Sequence, residues 1–361
     1  MTNNNLLSLN FSLKAVPLAL ASRVESGNLI VDSPLPQLAY NPKCPDLASL
    51  WQYAQDYWLG YQDGSPFSAL AEQKYDGVRC IIVCQLNDQG SVIARAFSRV
   101  GNELKSVTHI TNALQMAGAE VIREYLAKPN SGPKLVLDCE LIAEGKEFRV
   151  IGGLANRKAS DKETISLEAK CFAVFTASKS CSPIYTLRLE ERIDLVNRLN
   201  DWLCEGLISN PNYRVVNSLA ELNSFGEELR ASRCEGLILK SLRDQKYLPT
   251  KGSSRSRHWL KFKFKRSGTF RLVDIFAGEG KCEGMAGAIL IRDCDGNETL
   301  VGTGFTQAER EELFLIDYKS KPVYVEVEYM TRVGNSLREA SYKGIRFDLG
   351  TSPDIDRFET R

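Results

Sequence analysis

Charged side chains that interrupt strand-like apolar runs are the feature that most limits how this chain can fold. The clearest case is AEQKYDGVRC at residues 71–80, which leads directly into the β-branched run CIIVC at 80–84. Asp76-Gly77 between two β-prone segments is a common hairpin signal, and in that reading the charges face water. The alternative is a strand that borders a cleft, because a charge beside a core is costly unless it is paired or lines a cavity.

The same pattern recurs at several places along the chain. Within it, Asp138 and Glu140 are two positions apart, as are Lys261 and Lys263, so each pair projects from one face of its strand. Cationic side chains bind phosphates, and carboxylates bind hydrated Mg²⁺. Any one of these charged groups could be a surface ion pair, but all of them together predict a cleft that binds a polyphosphate with its metal. The groups are Lys74 with Asp76 and Arg79, Ser98 with Arg99, Asp138 with Glu140, Glu235, and Lys261 with Lys263.

Length and composition narrow the class of protein. The 361 residues fit two domains, and the net charge of +1 means that nucleic acid would have to be bound by local basic patches. The ten cysteines predict reduced thiols, and the two histidines leave little room for a histidine-based zinc site or a Ser-His-Asp triad. No apolar run is long enough to span a membrane, and the N-terminal stretch lacks the basic start of a signal peptide, so we expect a cytoplasmic protein.

Hydrophobic periodicity predicts an α+β fold with two domains. Helical patterns cover 47–61, 108–126, 187–204 and 219–231, and strand patterns cover 78–86, 134–145, 170–177, 235–240 and 258–265, with a basic loop at 247–257. Beyond 265–268, four strand-like runs and one helix over 306–316 predict a small oligonucleotide-binding (OB) barrel. The predicted divisions are a loosely structured lead-in at 1–45, a first domain at 46–267 and the barrel at 268–361.

In chain order these elements resemble the covalent nucleotidyltransferases, which are the DNA ligases, RNA ligases and messenger-RNA capping enzymes. KYDGVR and the short length are most similar to the small DNA ligases of short-tailed bacteriophages. The chain departs from the pattern in two respects. Cys139 stands where glycine is usual, and the last motif is imperfect, so Arg338, Lys343 and Arg346 are all candidates there. The matching stretches are KYDGVR (74–79), Ser98-Arg99, LDCEL (137–141), CFAVF (171–175), EGLILK (235–240), WLKFK (259–263) and SLREASYKGIRFD (336–348).

The resemblance implies a nucleotidyltransferase domain with antiparallel sheets and helices, and it assigns Lys74 as the nucleophile that forms lysyl-AMP from ATP. A free lysine has a pKa of about 10.4, so nearby cations and bound metal must supply the neutral amine. Mg²⁺ is implied as the cofactor, with Glu140 and Glu235 as its carboxylate ligands. The implied nucleotide-binding residues are Glu72, Arg79, Arg99, Glu140, Phe172 (or Phe175), Lys261, Lys263 and Arg338.

The barrel sequence decides between members of the group. The stretch 287–313, with its VGTGF turn and following helix, is similar to the barrel of ATP-dependent DNA ligases. We therefore expect a monomeric enzyme that seals nicked duplex DNA, with Arg255 and Arg257 in the basic loop binding DNA phosphates. An RNA ligase or capping enzyme, and a binding module without activity, are the alternatives. An NAD-dependent ligase is disfavoured, because no four-cysteine zinc cluster follows the barrel.

Overall fold

The structure is a computed structural model that describes residues 36–58, 67–129, 131–203, 206–242, 247, 255–349 and 355–359. The first part of the described chain forms, in order, β1 (Ala39–Tyr40), α1 (Leu47–Trp58), β2 (Ala69–Lys74), β3 (Val78–Leu86), β4 (Val92–Ser98), α2 (Thr108–Met116), α3 (Ala119–Leu126), β5 (Lys134–Ile142), α4 (Phe148–Ala155), β6 (Glu168–Ala177), β7 (Pro183–Thr186) and α5 (Leu189–Trp202). The rest forms β8 (Ile208–Ser209), β9 (Tyr213–Val216), α6 (Leu219–Ala231), β10 (Gly236–Ser241), β11 (Ser256–Lys263), β12 (Arg266–Ala277), β13 (Ala286–Arg292), β14 (Glu298–Val301), α7 (Gln307–Leu315), β15 (Tyr324–Tyr329), β16 (Thr331–Val333), β17 (Ser336–Arg338) and β18 (Ser341–Ile345).

Two sheets build the first part of the molecule. One has the strand order β1-β11-β10-β2-β9 and buries one face against α1 and α6, through side chains such as Leu50, Phe225 and Leu237. The other has the order β4-β3-β5-β6-β7 and packs against the helices α2, α3 and α5. The predicted mixture of antiparallel sheets and helices is thereby confirmed.

Strand β3 explains why the run CIIVC has no polar alternation. Ile82 packs into the core that includes α2 and α3, whereas Ile81 and Val83 pack into a second apolar cluster on the opposite face of the sheet. A strand that is buried on both faces is apolar at consecutive positions. Cys80 and Cys84 lie on the helix side of β3, and all described cysteines are free thiols, as the sequence predicted.

The hairpin interpretation of Asp76-Gly77 is wrong. Strand β2 belongs to one sheet and β3 to the other, so the dipeptide carries the chain from sheet to sheet. Gly77 is needed for close approach, because a Cβ atom there would lie 2.1 Å from the carbonyl oxygen of Leu141. The cluster of charges therefore sits where the two sheets meet, and not at a solvated turn.

The third sheet has the order β14-β13-β12-β15-β18 and, with the β16–β17 hairpin and α7, encloses a separate core around Phe270, Val325 and Tyr342. The described C-terminal residues 355–359 reach this core, because Phe358 is only 1% exposed within it. Among the described residues, no helix combines the length and the apolar character that crossing a membrane requires.

Several predicted boundaries need correction. The single helix expected over 108–126 is two helices, α2 and α3, and the helix α4 was not predicted. The predicted domain division at 267–268 falls within β12, where Arg266 pairs with Tyr329 and Gly268 with Val327. Gly268 is required for packing, since an added Cβ would lie 2.6 Å from the Phe270 ring. The connection between β11 and β12 is therefore Phe264-Lys265, and the domain limits stay a prediction.

Candidate active site

A cleft opens where the two sheets of the first part meet. It is lined from the first sheet by β2, β10 and β11 and from the second by β3, β5 and β6. Most of the predicted site residues converge on it, although they are spread over most of the chain. Its lining residues are Leu38, Ala39, Glu72, Gln73, Lys74, Tyr75, Arg79, Arg99, Glu140, Phe172, Pro211, Ile238, Lys240, Arg255, Trp259 and Lys261.

One end of the cleft, which we call the lysine end, contains Lys74, Glu235, Lys261 and Lys263. Strand register assembles it, because Gly236 at the start of β10 pairs with Lys74 on one side and with Lys263 on the other. Lys74 Nζ donates to Glu235 Oε2, and Lys263 Nζ lies 3.3 Å from Glu235 Oε1. Lys261 lies two positions before Lys263 on β11 and lines the cleft together with Lys74. Burial, together with the charges of Lys263 and Lys74, lowers the pKa of Lys261.

Glu140 faces the lysine end from the second sheet, where it pairs with Arg79 across β3 and β5. Burial raises the pKa of its carboxyl to about 7, although Arg79 and Lys74 oppose this and Glu235 adds to it. Glu140 lines the cleft, and Glu235 contacts Lys74 and Lys263 at its lysine end. The described residues contain no group of three or more histidine, cysteine or acidic side chains that could hold a metal alone.

The barrel reaches into the lysine end through the turn after β17. Arg338 lies 2.5 Å from the Asp76 carboxylate, and its guanidinium stacks 4.9 Å above the Phe148 ring. Glu339 lies 2.5 Å from Lys263. The other two candidates of the last motif are elsewhere on the barrel, where Lys343 pairs with Glu328 at 3.2 Å and Arg346 pairs with Asp348 at 2.8 Å. Arg338 is thus the cation that the structure brings to the cleft.

The opposite end, which we call the aromatic end, is built around Phe172, Arg79 and Glu72. The Arg79 guanidinium lies 4.5 Å from the Phe172 ring centroid and donates to both carboxylate oxygens of Asp138 at 2.5 Å. Phe172 lines the cleft, whereas Phe175 is fully buried and stacks on Tyr247 at 4.2 Å. The structure therefore separates the two predicted alternatives, with Phe172 at the cleft and Phe175 in the core.

Glu72 is 1% exposed and lies in a charge cluster that the sequence did not reveal. Its carboxylate is 2.6 Å from Arg192 on α5 and 2.5 Å from Lys240 on β10. Arg192 could have been found as the charged residue at a buried position of α5, between Leu189 and Leu195. Lys240 could have been found as the charge near the end of the buried strand EGLILK.

The two arginines predicted to bind DNA, Arg255 and Arg257, lie in different parts of the structure. Arg255 lines the cleft beside Lys261, which places it next to the predicted nucleotide site. Arg257 is exposed and packs its guanidinium against the rings of Tyr40 at 5.2 Å and Tyr57 at 5.3 Å. Most of the basic loop, including 248–254, lies outside the described residues. Arg99 is exposed at the cleft rim.

Part of the predicted lead-in belongs to the site. Within 36–45, strand β1 pairs with β11, and both Leu38 and Ala39 line the cleft. The Gln37 carbonyl accepts a hydrogen bond of 3.0 Å from Arg79, and its N–H donates to the Tyr247 hydroxyl at 2.9 Å. These contacts correct the expectation of a loose segment, whereas residues 1–35 lie outside the described chain.

Comparisons with known proteins agree with this architecture. The ATP dependent DNA ligase domain model matches residues 52–263, and the DNA ligase OB-like domain model matches residues 277–346, which confirms the predicted OB barrel. DNA ligase 1 of Methanosarcina barkeri is 28% identical over 277 residues, covering 69% of this chain and 46% of that protein. DNA ligase 1 of Saccharomyces cerevisiae is 28% identical over 313 residues, covering 78% and 38%.

The chain thus spans less than half the length of these two curated relatives. Among solved structures, a Lig E DNA ligase superposes with a TM-score of 0.57 and 19% identity, covering 87% of this chain and 100% of that one, which supports the fold. The first family model alone covers more than half of the chain, and the matches favour neither an RNA ligase nor a capping enzyme. The chain belongs to the ATP-dependent DNA ligase family.

Proposed function

We propose that this protein is an ATP-dependent DNA ligase that joins the 5′-phosphate and 3′-hydroxyl ends of a nick in duplex DNA. The observation that carries the proposal is the lysine end of the cleft. There a lysine amine at the end of β2 is surrounded by Glu235, Lys261 and Lys263 from the same sheet, and Arg338 of the barrel lies beside the adjoining Asp76. This arrangement fits attack of an amine on a polyphosphate, because cations surround both the nucleophile and the developing charge.

In the first proposed step, the neutral amine of Lys74 attacks the α-phosphorus of ATP. A P–N bond forms, the P–O bond to pyrophosphate breaks, and the amine proton is released. Lys261 and Lys263 would stabilise the charge that builds on the α-phosphate, and Arg338 would orient the pyrophosphate leaving group. Phe172 would stack on the adenine base at the aromatic end of the cleft.

The carboxylates of Glu140 and Glu235 fit a Mg²⁺ site. Mg²⁺ is usually held in nucleotide sites by one or two carboxylates together with substrate phosphates and water, so a larger cluster of acidic residues is not required. Glu235 is 3% exposed, and burial raises the pKa of Glu140, so both carboxylates gain from a nearby cation. When bound there, the ion would neutralise phosphate charge and polarise the P–O bonds.

In the later proposed steps, the AMP moves from Lys74 to the 5′-phosphate of the nick, and the 3′-hydroxyl then displaces AMP to form the phosphodiester bond. A phosphate joined to AMP is a better electrophile because it carries a good leaving group. Arg255 and Arg257 are proposed to contact the DNA backbone, and the enzyme is proposed to act as a monomer.

The decisive experiment incubates the protein with ATP labelled at the α-phosphate and looks for a covalent protein–AMP band. We predict that Lys74→Ala removes the band entirely, since the P–N bond cannot form without the amine. The variant should still seal a pre-adenylylated nick in part, because that reaction no longer needs the nucleophile.

Lys158→Ala is the matched control, because Lys158 is an exposed lysine outside the cleft. It should label as well as the unmodified protein. A labelled band from folded Lys74→Ala would refute the assignment of the nucleophile. Absence of labelling in the unmodified protein with Mg²⁺ present would favour a binding module without activity, and sealing of nicked RNA but not nicked DNA would favour an RNA ligase.

A further inference from the structure

Arg192 takes part in a buried charge cluster behind the aromatic end of the cleft. Its side chain is 4% exposed and lies 2.6 Å from Glu72 Oε1, while Lys240 Nζ lies 2.5 Å from Glu72 Oε2. Two cations therefore share one carboxylate, and all three side chains have little exposure to solvent. Burial lowers the pKa of Lys240 to about 8, even though Glu72 raises it, which is consistent with a dry site.

Both cations also bind the backbone of Phe172. Arg192 Nη1 donates to the Phe172 carbonyl at 2.5 Å, and Lys240 Nζ donates to the same oxygen at 2.7 Å. A single carbonyl that accepts from two cationic donors is held more firmly than one that accepts from a neutral N–H group. The position of this backbone atom is thus set by side chains from α5 and β10, and not only by the sheet.

The strand is irregular at this point. Asp138 of β5 pairs with Ala173, and the next residue of β5, Cys139, pairs with Cys171, so Phe172 is an extra residue in β6. A β-bulge leaves one residue outside the regular ladder and changes the direction of its side chain. Here the bulge turns the Phe172 ring into the cleft and its carbonyl toward the two cations.

The cluster is not explained by stability alone. Ion pairs in a protein core can often be replaced by apolar side chains with little loss, so a buried pair is weak evidence of a stabilising role. In the described structure, Arg192 Nε and Nη2 are also buried without hydrogen-bond partners, which makes this guanidinium an expensive choice for packing. A role in positioning Phe172 and Glu72 would explain why a guanidinium is buried here, which packing alone does not explain.

We propose that Arg192 is a positioning residue for the nucleotide base, and that it acts only through Glu72 and Phe172. Arg192 itself does not line the cleft, whereas Glu72, Lys240 and Phe172 all do. Its loss should therefore weaken the binding of ATP and the preference for adenine over guanine, while the chemistry at Lys74 proceeds normally once ATP is bound. This inference rests on the proposed reaction with ATP.

The test measures the rate of protein–AMP formation against ATP and GTP concentration for two variants. Arg192→Met should raise the KM for ATP by about tenfold or more, and Arg192→Lys should raise it less, because the shorter cation keeps part of the contact. The kcat at saturating ATP should change by less than about threefold, and the preference for ATP over GTP should fall. Arg192→Met leaves Glu72 and Lys240 as a balanced pair, so it remains useful if Arg192→Lys does not fold.

Arg198→Met is the control on the same helix, because Arg198 forms a more exposed pair with Glu124. It should leave KM and nucleotide preference unchanged. A double-mutant cycle with Phe172→Leu adds a readout that a purely structural role would not move: the two changes should be clearly non-additive in KM. An unchanged KM in folded Arg192→Met, or additive effects in the cycle, would overturn the proposal. If the unmodified protein forms no protein–AMP, it is the proposed function that fails.

Discussion

The two ends of the cleft use ion pairs in opposite ways. At the aromatic end the cluster around Glu72 is sealed in the protein: the side chains of Glu72, Arg192 and Lys240 are 1%, 4% and 7% exposed. At the lysine end the cations remain accessible: Lys74 and Arg338 are 22% and 27% exposed, and of their partners Asp76 is 24% exposed whereas Glu235 is 2% exposed. A sealed pair cannot change partners without exposing a bare charge, whereas an accessible one can.

This difference suggests a division of labour. The aromatic end is preorganised, because its charges are already paired inside the protein and hold Phe172 and Arg79 in place. The lysine end is exchangeable, because phosphates can replace Glu235, Asp76 and Glu339 as partners of the cations. Such an exchange lets the cations follow the phosphates as bonds form and break, which sealed pairs would prevent.

The first prediction has the largest expected effect, and it tests whether the buried ion pairs of the aromatic end stabilise the fold. Asp138→Asn removes the charge that pairs with Arg79 and accepts from the Tyr247 hydroxyl, so it leaves a nearly buried guanidinium without its counterion. We expect the free energy of unfolding to fall by roughly 3 to 5 kcal/mol, measured by urea denaturation. Glu103→Gln is the control, because its pair with Arg95 is partly exposed and should be worth less than about 1 kcal/mol. Similar losses in both variants would remove the contrast between sealed and accessible pairs.

The second prediction tests the exchange at the lysine end. Arg338→Ala should slow formation of protein–AMP by about a hundredfold, because it removes the cation that the barrel supplies to the leaving group. Sealing of a pre-adenylylated nick should fall by less than about threefold, since pyrophosphate has already left. A point variant is preferable to deleting the C-terminal motif at 336–348, because Leu337 and Tyr342 of that motif belong to the barrel core.

Lys343→Ala is the control for Arg338→Ala, because Lys343 belongs to the same motif but pairs with Glu328 on the barrel. It should leave both reactions nearly unchanged. Equal loss of both reactions in Arg338→Ala would mean that Arg338 supports the structure of the cleft and does not act on the leaving group.

The third prediction concerns the carboxyl of Glu140. Its pKa is raised from 4.5 to about 7 in the folded protein, so the folded state binds a proton that the unfolded state has already released. In the absence of metal, stability should therefore decrease as pH rises from about 4.5 to about 7, by roughly 2 kcal/mol after allowance for the partial exposure of this side chain. Urea denaturation at pH 5 and pH 8 measures the change.

Glu140→Gln should remove this part of the pH dependence, because the amide does not titrate. Mg²⁺ with a nucleotide should reduce the dependence in the unmodified protein if the ion binds the ionised carboxylate. A variant whose pH profile is identical to that of the unmodified protein would show that another group is responsible.

The smallest effect is expected outside the cleft. Arg257→Ser should reduce the slope of log K against log salt concentration for nicked-DNA binding by about 0.9, the value for one phosphate contact. Formation of protein–AMP should not change, because Arg257 packs on Tyr40 and Tyr57 away from the lysine end. Arg257→Lys keeps the charge and should keep the slope. If Arg255→Ser instead raises the KM for ATP, that arginine serves the nucleotide, as its place in the cleft lining suggests.

Local sequence patterns predict much of the architecture. The helix predicted at 219–231 coincides with α6, and the barrel, the two classes of element and the convergence of the charged groups follow from periodicity and from the order of the motifs. The expected same-face pair of Asp138 and Glu140 also holds, because Asp138 accepts hydrogen bonds from Arg79 and Glu140 lines the cleft together with Arg79. Such features depend on residues a few positions apart, whose geometry a strand or helix determines by itself.

What only the tertiary structure decided is which partner each charge receives. Three of the ion pairs join positions that are far apart in the chain: Lys74 with Glu235, Arg338 with Asp76, and Arg192 with Glu72. The sequence shows that these side chains are charged, but it does not show whether a given charge will be sealed or accessible. That depends on how the sheets, α5 and the barrel pack together, because burial and the approach of distant strands set the electrostatic energy of every pair.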